Sequence, residues 1–175
     1  MRKLMIASTI AMTMVAGSAM AEVKQGSQGQ VQFVGTVAAK TCDVVISGDG
    51  AVNNQVQFGV VNVSDTATKE FKVSLKDPAC ISSTNKATFA WYSPALGDTG
   101  IKNQSGAAKD SYVELKGKDG ATNAPSRTDL ITALNNSLDF TVSQPEMGFE
   151  YEATLHAGST PGSFETAASY TIIYE

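Results

Sequence analysis

The stretch "FEYEATLHAGSTPGSFETAASYTIIYE", residues 149–175, decides the fold. Its first part sets Phe149, Tyr151, Ala153 and Leu155 against Glu150, Glu152, Thr154 and His156. Its last part sets Ala168, Tyr170, Ile172 and Tyr174 against Ser169, Thr171 and Ile173. A period of two places alternate side chains on opposite faces of a strand, so each part reads as a half-buried strand. The Gly/Ser/Thr/Pro run between them carries turn chemistry.

The same pattern recurs upstream. "KEFKVSLKD" alternates Phe71, Val73 and Leu75 with charged residues, "ATFAWYS" places Ala87, Phe89 and Trp91 on one side, and "SLDFTVS" does so with Leu138, Phe140 and Val142. "TCDVVIS" is expected to continue the strand opened by Val31 and Phe33 after a short break at Ala38-Ala39-Lys40, "SYVELKG" reads as a short strand, and "QVQFGVV" is expected to set Val56, Phe58 and Val60 together. "SGDG", "KDPA", "ALGDTG", "KGKDG" and "SQPEMG" punctuate them. Only "PSRTDLITALNNS" offers a helical turn, capped by Ser126 or Thr128. Short strands at regular spacing predict an all-β, antiparallel sandwich of the immunoglobulin type.

The first 21 residues read differently. Arg2 and Lys3, an apolar run from Leu4 to Val15, and Ala19-Met20-Ala21 have the layout of a cleaved secretory signal. The apolar run is too short to span a bilayer. The mature chain is expected to start at Glu22 and to form one domain. Loss of Arg2 and Lys3 takes the net charge of −4 to −6, a poor balance for binding nucleic acid. Cys42 and Cys80, the only cysteines, are expected to pair as a disulfide after export.

Catalytic and cofactor motifs are missing. His156 is the sole histidine and alternates outward on its strand. No nucleophile-elbow sequence accompanies it, and one histidine beside a cysteine pair leaves no zinc set. The glycines are dispersed, with no phosphate-cradling loop. Asp129, Glu146, Glu150 and Glu152 could supply a hydrolase pair, but Glu150 and Glu152 fit a solvated strand face better. No cofactor, no metal and no enzymatic activity are expected.

The two ends of the chain complement each other. The final strand "SYTIIYE", residues 169–175, is expected to lack a following strand, leaving an apolar edge with unpaired backbone groups. Residues 22–30, "EVKQGSQGQ", precede the first strand without a hairpin partner, and Val31 and Phe33 open its apolar face. Exchange of strands between copies satisfies both ends. It is head-to-tail, and so builds an open filament.

Three stretches carry a family resemblance. "GQVQFVGTVAAKTC" resembles the arm and first strand of a chaperone–usher pilin, the structural subunit of Gram-negative fimbriae of the type 1 and P-pilus kind. "DPAC" resembles its second cysteine motif, and residues 149–175 resemble its C-terminal hairpin, with an aromatic, Tyr174, second from the end. The resemblance implies an incomplete immunoglobulin-like sandwich, residues 31–175, finished by a donor strand from another subunit. It implies an arm, residues 22–30, with Ser27 and Gly29 leading into Val31 and Phe33 as groove contacts, Gly29 lying where the groove is shallow. It implies an acceptor groove at Tyr170, Ile172 and Tyr174, with Glu175 gripped by a periplasmic chaperone. An outer-membrane usher and identical or related subunits are the further partners implied, and the destination is the extracellular fimbrium. The alternative is a subunit that is itself the adhesin, binding a host glycan or protein through the polar loops "GDTGIKNQSGAAKD" and "KGKDGATNAPSR".

Overall fold

A computed structural model describes residues 42–82 and 84–175. The expected signal, residues 1–21, and the arm residues Ser27, Gly29, Val31 and Phe33 lie outside the described residues.

Ten strands are present among the described residues: β1 (Val44–Gly48), β2 (Ala51–Val52), β3 (Gln55–Val56), β4 (Thr66–Leu75), β5 (Lys86–Tyr92), β6 (Ile101–Lys102), β7 (Tyr112–Gly117), β8 (Ser137–Thr141), β9 (Phe149–His156) and β10 (Ser169–Tyr174). One sheet has the order β1-β4-β9-β7-β6 and a second the order β10-β5-β8, with a small β2–β3 hairpin beside them. Every pairing is antiparallel. The protein is an all-β, immunoglobulin-like sandwich.

Alternation explains which face each strand buries. Phe71, Val73 and Leu75 of β4 point inward, as do Phe149, Tyr151, Ala153 and Leu155 of β9 and Val113 and Leu115 of β7. From the other sheet come Ala87, Phe89 and Trp91 of β5 and Leu138 and Phe140 of β8. Phe89 meets Phe140, Phe149 and Tyr151 edge-on, with ring centroids 5.5, 4.9 and 5.6 Å away, the geometry that ring quadrupoles favour. Trp91 Nε1–H donates to the Tyr151 hydroxyl at 3.3 Å, which satisfies both polar groups inside the core. Burial pushes the Tyr151 hydroxyl well above its ordinary pKa. Gly117 faces inward where a Cβ would come within 2.7 Å of Pro125 and 2.9 Å of Leu138.

The outer face of the larger sheet is charged. Glu70 and Glu152 stand directly opposite each other across β4 and β9, a repulsive placement. Lys118 Nζ, 2.6 Å from Glu70, and Lys116 Nζ, 2.9 Å from Glu152, compensate it. Glu150 reaches Lys72 at 3.9 Å. These carboxylates therefore belong to a solvated ladder of cross-strand pairs.

Cys42 and Cys80 form the disulfide, with Cα atoms 5.9 Å apart. Cys80 is held in a 3₁₀ turn, Pro78–Ile81, whose start is capped by Asp77 accepting from Ala79 N–H at 3.0 Å. The bond closes a 38-residue separation and ties the start of β1 to the end of β4.

Two local expectations are corrected. Val60 does not join Val56 and Phe58: Gly59 adopts a left-handed φ of +74°, which breaks the alternation. Val60 is fully exposed and Val61 packs against the core instead. Residues 126–137 contain no helical turn before β8 begins. There Arg127 donates to the carbonyls of Asp129, Leu130, Asn135 and Ser137, and Thr132 and Asn135 close a tight turn. A guanidinium that takes up four carbonyls removes the need for a helical ladder.

Candidate functional site: an edge strand and its cleft

The four edges of the two larger sheets are treated differently. The outer edge of β8 is covered by residues 124–126, with Thr141 N–H donating to Ala124 and Ser126 N–H to Asp139. Beside β6, Leu96 bridges Ile101 and Lys102 N–H donates to Ala95. On β1 the outward N–H of Ile46 donates to the side-chain oxygen of Asn54, 3.3 Å away. Asn53 and Asn54, with φ of 50° and 62°, make the tight turn of the β2–β3 hairpin that presents this oxygen. Of these four edges, only that of β10 has no hydrogen-bonded partner on its outer side among the described residues.

Which atoms β10 presents follows from its register. Glu175 and Lys86 exchange both backbone hydrogen bonds, at 2.9 and 3.0 Å. In an antiparallel ladder such pairs alternate with pairs that bond outward. Ile173, Thr171 and Ser169 therefore bond toward β5, while Tyr170, Ile172 and Tyr174 turn their N–H and C=O groups to the free side. The same three residues send their side chains inward, half-buried against the core. Tyr170 packs on Trp91 and Phe89, with centroids 4.9 and 5.8 Å away. Burial raises the pKa of the Tyr170 hydroxyl and pushes that of Tyr174 up to about 12. The Tyr174 hydroxyl has no hydrogen-bond partner among the described residues.

The remaining predicted residue, Glu175, is fastened to β5. Its backbone oxygen accepts from Asn85 and Lys86 N–H, both at 3.0 Å, and its carboxylate lies 3.5 Å from Lys86 Nζ. Lys86 also contacts Asp139 at 3.3 Å. Hydrogen bonding and charge from Asp139 raise the Lys86 pKa. A Thr88 hydroxyl hydrogen bond lowers that of Asp139.

Beside the Tyr170 end of β10 lies a cleft of about 1400 Å³. Its floor includes Phe71, Trp91, Val113 and Leu155 from both sheets. One wall is the strand-free run from Gln57 to Val63, where Phe58 and Val61 pack inward. The other is Thr160–Ala168, which leads directly into β10. Ile46 of β1 and Tyr170 of β10 line the same cleft, so it opens between the two sheets on their β1 and β10 side.

The Thr160–Ala168 wall is pinned by side chains that sequence reading did not single out. Asp110 accepts from Ser159 N–H (2.6 Å), Ser159 Oγ–H (2.8 Å) and Thr160 N–H (3.3 Å). Those bonds, led by the Ser159 hydroxyl, hold its pKa down at about 2. Asn103 accepts from Glu165 N–H at 3.0 Å and donates to Ser163 O at 3.3 Å. These pairs are separated by 49 to 62 residues, a distance at which no periodic signal exists.

His156 faces outward, as expected. Its ring stacks on Tyr112 with centroids 4.7 Å apart, and its Nε2 lies 3.2 Å from Glu114. It is part of a cross-strand cluster of β7 and β9.

The fold and this edge define the class: an antiparallel immunoglobulin-like sandwich, stapled by one disulfide, with a single unblunted apolar edge among its described strands. No protein-family model matches the chain. It is 36% identical to the F107 fimbrial protein of Escherichia coli over the whole of both chains, and it belongs to that family of fimbrial subunits.

Proposed function

We propose that the protein is the structural subunit of an adhesive surface fimbrium and polymerises by strand addition. In this reading the arm of one copy, with Ser27, Gly29, Val31 and Phe33 facing inward, lies along β10 of the next. It hydrogen-bonds the outward backbone groups of Tyr170, Ile172 and Tyr174 and covers their side chains. The observation that carries the reading is the contrast between edges: three are covered or capped, and β10 is apolar and open among the described residues. An open apolar edge is an aggregation hazard unless it has a designated partner. In the same reading a periplasmic chaperone occupies β10 and contacts Glu175 before assembly, and an outer-membrane usher directs the exchange on the way to the cell surface.

Deletion of residues 22–33 tests this. The expected outcome is loss of surface fimbriae with the subunit still exported. Normal filaments from the deletion variant would overturn the proposal.

The adhesin reading finds less support in the two polar loops. Asn103, Asp110 and Arg127 spend their hydrogen-bonding groups on other parts of the same chain. Fimbriae assembled from this subunit alone should accordingly show no binding on a glycan and host-protein array. Specific retention there would reverse the preference.

A further inference from the structure

We propose that Asp110, supported by Asn103, is a positioning residue for assembly: it holds the wall of the cleft in the place an incoming strand requires. This rests on the strand-addition reading and adds the residue that makes the site ready.

The wall cannot hold itself. Between the end of β9 and the start of β10, residues 157–168 contain no strand, and residues 159–163, 165 and 167 are exposed. One isolated bridge, Ser105 with Glu165, is the nearest thing to a ladder. Its course is fixed by the facing loop, residues 102–111. Asp110 takes Ser159 and Thr160, Ser111 Oγ accepts from Gly158 N–H at 3.0 Å, and Thr166 Oγ1–H donates to Lys102 O at 2.9 Å. Asn103 joins both loops, binding Ala108 O and Ser163 O through its nitrogen and Ser105 and Glu165 N–H through its oxygen.

The contact is too close for substitution. A Cβ on Gly158 would fall 2.2 Å from the Asp110 carboxyl carbon, and one on Gly106 would fall 2.2 Å from Ser163 O. Two glycines thus let the loops approach until one carboxylate can collect three donors. Bonds to an ionised acceptor are the stronger kind. Because the wall runs straight into Ser169 and Tyr170, its position sets the width of the cleft beside the open edge. A wall already in place spares an arriving strand the entropy of ordering it.

The test uses the full chain. Asp110→Asn keeps size but removes the charge and turns one of the two acceptor oxygens into an N–H₂, which then faces the donors of either Ser159 or Thr160. Backbone amide exchange of residues 159–166 is expected to rise at least about tenfold, with the amides of β4 and β9 unchanged. The rate at which fimbriae appear on expressing cells is expected to fall at least about fivefold at equal amounts of exported subunit, as expected when a site must first be ordered. Asp110→Glu, which retains the acceptor charge, should restore part of that rate. If Asp110→Asn fails to accumulate, Ser159→Ala removes one bond alone and should show the same pattern in smaller measure. Unchanged exchange, or faster exchange with an unchanged assembly rate, overturns the proposal. Ile172→Asp, on β10 itself, separates this from the underlying reading. If it assembles normally, strand addition at β10 is wrong and the Asp110 proposal falls with it. If it blocks assembly while Asp110→Asn does not, only the Asp110 proposal falls.

Discussion

Three residues show how much of the fold is decided by single contacts. Tyr151 lies at the centre of the aromatic core and accepts the one hydrogen bond that Trp91 Nε1–H makes among the described residues. Tyr151→Phe leaves that donor buried and unpaired, and is expected to lower stability by roughly 1–3 kcal/mol in urea denaturation. Gly117→Ala adds a Cβ within 2.7 Å of Pro125. Overpacking there should cost roughly 1–3 kcal/mol, read by the same measurement. Asp110 adds a pH signature. Its folded pKa, about 2, lies below the ordinary 3.8, so its contribution is complete above 3.8 and is lost as pH falls through about 2. The difference in unfolding midpoint between wild type and Asp110→Asn is therefore expected to shrink as the pH is lowered across that window. A constant difference would show that the carboxylate's charge is not what matters.

Strands were legible in proportion to how cleanly one face is buried. Phe71-Val73-Leu75, Ala87-Phe89-Trp91, Leu138-Phe140 and the alternation from Phe149 to Leu155 all fell on the core side, because a period of two leaves a strand little other choice. The half-burial of Tyr170, Ile172 and Tyr174 follows from the same rule applied at an edge. Where a single residue reverses the parity, the rule fails. Gly59 does this in front of Val60, and no alternation count registers a left-handed turn. Residues 126–137 mislead for another reason: Arg127 supplies from a side chain the hydrogen bonds that a helix would have supplied from its backbone. The two-residue strands β2, β3 and β6 are too short to carry a period at all. For β10 the two faces predict opposite results. Ile172→Asp places a charge on the inward side and should abolish fimbriae, whereas Thr171→Asp, on the exposed side, should leave their number on electron micrographs nearly unchanged.

At the scale of the molecule, the sandwich combines a large aromatic core with one covalent tie. Pairing of Cys42 and Cys80 was legible because an exported chain with two cysteines has a single intramolecular solution. In the chain-entropy model a closed loop of this length contributes roughly 4 kcal/mol. Cys42→Ser with Cys80→Ser is expected to lower the denaturation midpoint accordingly and to reduce the yield of exported subunit. An unchanged midpoint would mean that the tie only guards the β1 edge. The cleft was not legible as a shape. Its walls come from residues 46 to 170, and its pinning by Asp110 and Asn103 depends on loops that meet only in three dimensions.

On β10 the residues that turn their peptide groups outward are the same ones that send their side chains toward the core. A strand laid along that border cannot slide by one position without swinging its own apolar side chains into water. It can move only in steps of two, about 7 Å at the usual strand rise. If neighbours are joined this way, the spacing between them is not continuously adjustable: the allowed repeats form a coarse ladder, and a fibre pulled along its axis should hold its length until a whole rung gives way.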